Sequence, residues 1–121
     1  AVFLCFGVND SRWPETRDSF EANLKEAFQT FVDGGKQVIF LVPPQGTGNH
    51  NGYRYEKHNK LITEPVLRAA QAVDPEGEDI KVILPDADGY EIRENDYVHP
   101  TPAGVKCWTR DVLFELRTNV F

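Results

Sequence analysis

Two short apolar runs, residues 2–6 and 37–42, lie on either side of a stretch with helical periodicity, and that order restricts the fold more than any other feature. Each run is too short for a buried helix, and each is bounded by glycine or proline, which predicts strands. Between them Phe20, Leu24, Ala27, Phe28 and Phe31 recur on one helical face. Asp18 or Ser19 can cap that helix, and Asp33-Gly34-Gly35 can end it. A strand, a helix and a strand in this order form a βαβ unit, so the two strands should run parallel.

The alternation continues. Residues 45–52 are polar and glycine-rich, a loop after the strand that Pro43-Pro44 stops. Residues 53–73 read as helical, with Leu61, Ile62, Val66, Leu67 and Ala70 on one face and a kink at Pro65. Asp74-Pro75-Glu76-Gly77 is a turn. Residues 80–84 form a third strand, edge-like because Lys81 alternates with apolar neighbours. An acidic loop, 85–95, leads to a last helix from Thr101 to about residue 117, with Val105, Trp108, Val112 and Leu116 on its buried face. Thr101 is placed to cap it and Pro102 to occupy its first position. The expectation is one α/β domain, flavodoxin-like, in three α/β/α layers around a parallel sheet. Three strands make a small sheet, and residues 2–6 are too apolar for a bare edge. The sheet is therefore expected to be incomplete in this chain, which starts inside a strand-like run.

Composition narrows the partners. A formal charge of −6 argues against nucleic acid or an anionic membrane surface. No apolar run approaches the ~18 residues of a membrane span. Cys5 and Cys107 are too few for a disulfide scaffold or a metal site and are expected as small buried hydrophobes. The acidic set Asp86, Asp88, Glu91, Glu94 and Asn95 lacks the spacing of a calcium loop and reads as solvated. His58 stands among Lys and Asn and is expected in solvent.

In parallel sheets the site lies beyond the carboxyl ends of the strands. Two segments there carry chemistry. Gly7-Val8-Asn9-Asp10 follows the first strand, and an Asn side chain at that place can donate to a developing oxyanion. Asp96-Tyr97-Val98-His99-Pro100-Thr101 precedes the last helix. A carboxylate three residues before a histidine can hold its tautomer and steady its positive charge, and the prolines pin the loop.

Together these blocks resemble two signature blocks of the SGNH (GDSL-type) hydrolases, with a βαβαβα pattern of the right length between them. The resemblance covers essentially all of this chain but only the carboxyl-terminal half to two-thirds of the family's domain. It implies a serine-type ester hydrolase. Asn9 would be an oxyanion donor, His99 the general base, Asp96 its orienting partner, and Gly7 the tight turn that lets Asn9 face the site. His50 and Tyr53, in or beside the 45–52 loop, are candidates for the substrate cleft. No metal or organic cofactor is called for. The substrate would be an ester, with an acetylated carbohydrate slightly favoured over a lipid. The family's Gly-Asp-Ser block is not in this sequence: Ser11 and Ser19 are the two serines, and neither has that context. The nucleophile, with the amino-terminal half of the domain, is expected upstream or on another chain. The alternative is a non-catalytic binding or structural module of the same fold. The compartment stays open, secretion being compatible with the family.

Overall fold

The computed structural model describes residues 1–8, 10, 13–44, 58–84, 89–93 and 99–118. Three strands, β1 (Val2–Leu4), β2 (Val38–Leu41) and β3 (Ile80–Ile83), form one sheet in the order β1-β2-β3. Both pairings are parallel, with Val2 opposite Val38 and Val38 opposite Ile80. The helices are α1 (Pro14–Arg17), α2 (Phe20–Asp33), α3 (Glu64–Val73) and α4 (Pro102–Thr118). The α/β class and the parallel sheet thus follow the sequence expectation.

Side chains alternate across a strand, and β2 divides its residues between two cores. On one face Val38, Phe40 and Val42 meet Phe20, Leu24 and Phe28 of α2 and Val66, Ala69 and Ala70 of α3. Phe28 and Phe40 are wholly buried and meet edge to face, their ring centroids 6.0 Å apart. Burying such a ring is worth roughly 1.5–3 kcal/mol, and the paired geometry adds about 1 kcal/mol. On the other face Ile39 and Ile83 meet Val112 of α4, with Leu41, Trp108 and Leu116 packed around them. Helices therefore cover both faces, two on one and one on the other.

Local sequence sets the boundaries. Helix α2 ends where Gly35 takes φ +75°. Its N–H reaches the Val32 carbonyl at 2.9 Å while the Lys36 N–H reaches Phe31, also at 2.9 Å. This crossed pair satisfies carbonyls that the helix end would leave bare. Ser19 stands at the start of α2, but its hydroxyl donates backwards to Glu15 and Thr16 carbonyls rather than capping. The break expected at Pro65 is present as a change of helix type. Asn59–Thr63 forms a π-helical turn, and the Glu64 N–H bonds the Asn59 carbonyl five residues back. Pro65 has no N–H for the ordinary i−4 bond, and the wider turn before it absorbs the mismatch.

Several expectations fail, each for a tertiary reason. β1 is not covered on both faces: Phe3 is 57% exposed, and among the described residues β1 pairs on one side alone. Cys5 lies beyond its end and is exposed, as is Cys107 on α4. Burial around the sulfur still pushes the Cys5 thiol pKa up. Val105 and Leu67 fall on helical faces that no described element covers, and both are exposed. Residues 8 and 10 are helical rather than loop.

Candidate functional site

All three strands point their carboxyl ends the same way, so the segments after them gather along one rim of the sheet. After β1 the chain turns at Gly7, whose φ is +129°. A Cβ there would stand 3.1 Å from both Ile62 and Phe20, so the position needs glycine for conformation and for space. The sharp turn assigned to Gly7 is thus present. Asn9 lies outside the described residues, as do Asp96, His50 and Tyr53.

After β2 come Val42 and Pro43, both buried. The Pro43 carbonyl accepts a hydrogen bond from His58, which is 2% exposed. This corrects the solvated reading of His58. Lys60 is exposed and Asn59 half-buried, while the imidazole turns under the end of β2. Burial lowers its pKa from 6.5 to about 4, against the opposing pull of the Pro43 carbonyl. The ring is therefore neutral at neutral pH.

After β3 the chain forms a small closed structure that the sequence did not announce. Ile92 and Pro100 make an antiparallel bridge. The Arg93 N–H donates to the His99 carbonyl at 2.8 Å, and the Thr101 N–H to the Glu91 carbonyl at 3.0 Å. These bonds join residues 91–93 to residues 99–101, and the His99 side chain is exposed. The pairing is then tied to α4. Thr101 caps the helix as expected, its Oγ1 accepting the Gly104 N–H at 3.2 Å. The Glu91 carbonyl lies so close to Gly104 that a Cβ would come within 2.1 Å of its oxygen. Tyr90 is buried, and its hydroxyl donates to Asp111 Oδ2 on α4 at 2.8 Å.

The Gly7 turn thus follows β1, His58 meets the segment after β2, and His99 stands between β3 and α4. Sequence reasoning missed four of the residues that hold these segments. His58 carries no local sign of burial. Gly104 was legible in principle, as a glycine in the first turn of a helix where propensity disfavours it. The Tyr90–Asp111 bond spans 21 residues and has no local signal. Among the described residues no three His, Cys, Asp or Glu stand together as a metal site, and no described helix is long and apolar enough to cross a membrane.

Comparison with protein-family models, curated proteins and solved structures finds no match to this chain.

Proposed function

We propose that this chain supplies the base and the oxyanion donor of a serine-type ester hydrolase similar to the SGNH enzymes. One observation supports the reading: backbone bonds between residues 91–93 and 99–101 hold His99 just before α4, and Gly7 has the positive φ of a turn after β1. A base must be held in place to take a proton at the right moment, and the bonds from Arg93 and Thr101 do that for the His99 backbone.

In this mechanism His99 removes the proton from a serine hydroxyl as its oxygen attacks the ester carbonyl. Asn9 donates to the tetrahedral oxyanion, and Asp96 balances the imidazolium. His99 returns the proton to the departing alcohol. Water, activated by the same histidine, then releases the acid from the acyl-enzyme. Ser19 is a poor nucleophile because its hydroxyl is engaged with two backbone carbonyls in the turn before α2. The reading calls for a serine from another segment or chain. An acetylated carbohydrate remains the favoured substrate, with His50 and Tyr53 at its cleft. The lack of a Gly-Asp-Ser block favours one rival, a binding or structural module with this fold.

The test uses protein isolated from its native source with whatever chain or segment accompanies it. Turnover of p-nitrophenyl acetate should fall at least about a thousandfold in His99→Ala. It should fall by roughly a hundred- to a thousandfold in Asn9→Ala, the loss expected for one oxyanion donor. Turnover unchanged by His99→Ala would reject the mechanism. So would a native species of these residues alone, without partner or turnover.

A further inference from the structure

The outward face of α4 is built for contact although nothing described covers it. Lys106, Thr109, Arg110, Leu113, Phe114 and Arg117 recur at alternating steps of three and one, a single stripe on the side opposite Trp108 and Val112. They line a shallow groove of about 480 Å³. Phe114, 64% exposed, and Leu113, 49% exposed, are its apolar side chains. At helical spacing Lys106, Arg110 and Arg117 fall in a row between them, and none of these forms an ion pair among the described residues. The carboxylates of α4 do not neutralise the stripe. Asp111 is bound to Tyr90 on the inner side, and Glu115 is three positions from Val112 on the same inward side. A chain of net charge −6 thus concentrates three cations between two large apolar side chains on one helix.

We propose that this face of α4 docks an acidic amphipathic helix of a partner protein. A row of cations edged by apolar side chains is met by a helix that carries an acidic row edged by apolar residues of its own. Leu113 and Phe114 would seat between the partner's ridges, and Lys106, Arg110 and Arg117 would meet its Asp and Glu. A bilayer fits less well. Two apolar side chains give little to insert, and the overall negative charge repels anionic lipid. This inference is independent of the ester-hydrolase reading.

The probe is a phage-displayed library of helical 20-residue peptides selected on the purified chain, followed by affinity measurements on the enriched peptides. Enriched sequences should carry a row of Asp and Glu edged by apolar residues. Their affinity should fall at least about tenfold in the charge-reversed variant K106E/R110E/R117E, and as far in F114A, with circular dichroism confirming that each variant stays folded. The affinity should also weaken as salt is raised. Absence of enrichment, enriched peptides without acidic excess, or binding that survives the charge reversal overturns the proposal. So does charge-dependent binding to phosphatidylserine vesicles by a chain that selects no peptide.

Discussion

His58 shows how much a single side chain can decide. Its folded pKa lies near 4 against an ordinary 6.5, because the ring is buried under the end of β2. Between those values the unfolded chain binds a proton that the folded chain refuses, so unfolding takes up protons there and stability falls as pH drops. Above the upper value both states are neutral and His58 adds no pH dependence. The full shift corresponds to about 3 kcal/mol lost by the lower end of the window, an upper figure for one group. Urea midpoints measured from pH 7 to pH 4 should show that decline, and His58→Gln should flatten it. The residue also marks where local reading stops. Polar neighbours in sequence say which way the neighbours face, not which way the imidazole turns. Only the approach of Pro43, from another element, encloses it. Cys5 and Cys107 err in the opposite direction: apolar surroundings in sequence suggested burial, and both are exposed.

At the level of elements the sequence was most readable where ends are chemically marked. The Asp33-Gly34-Gly35 stop, the Pro65 discontinuity and the Thr101-Pro102 start all lie where turn and cap chemistry put them. The helical faces were less readable. The period identified α2 correctly through Phe20, Leu24 and Phe28, since two neighbours, the sheet and α3, cover it. It misassigned Val105 because, among the described strands and helices, the core of α4 rests on the sheet alone and its buried stripe is correspondingly narrow. The Thr101 cap permits a direct measurement. Thr101→Ala removes the acceptor of the Gly104 N–H and should lower stability by about 1 kcal/mol in urea titration, while Thr101→Ser should lose much less. Of the candidate site, the Gly7 turn was legible because glycine alone adopts its backbone angles comfortably, whereas the clasp around residues 91–101 depends on pairing that no period or propensity encodes.

Over the whole molecule the two faces of the sheet carry unequal loads. The α2–α3 side holds Phe28, Phe40, Leu24, Ile62 and Val66 nearly or wholly buried, while the α4 side rests on Ile39, Ile83 and Val112. Phe28→Ala should therefore cost about 3–5 kcal/mol, a large share of what a domain of this size possesses. Val112→Ala, which deletes less and lies at a partly open margin, should cost roughly 1–2 kcal/mol. Equilibrium unfolding of the two variants side by side checks the ranking. The same asymmetry explains the exposed Phe3: it stands on the face where one helix covers β2 and β3 and nothing described covers β1.

The contact between the Glu91 carbonyl and Gly104 has a consequence for how the loop opens. With no room for even a methyl group between them, residues 91–93 cannot slide along the first turn of α4; they stay seated or come off together. The amide hydrogens of Arg93 and Thr101 should then trade with deuterium at the pace of the first turns of α4, and Gly104→Ala should release both together.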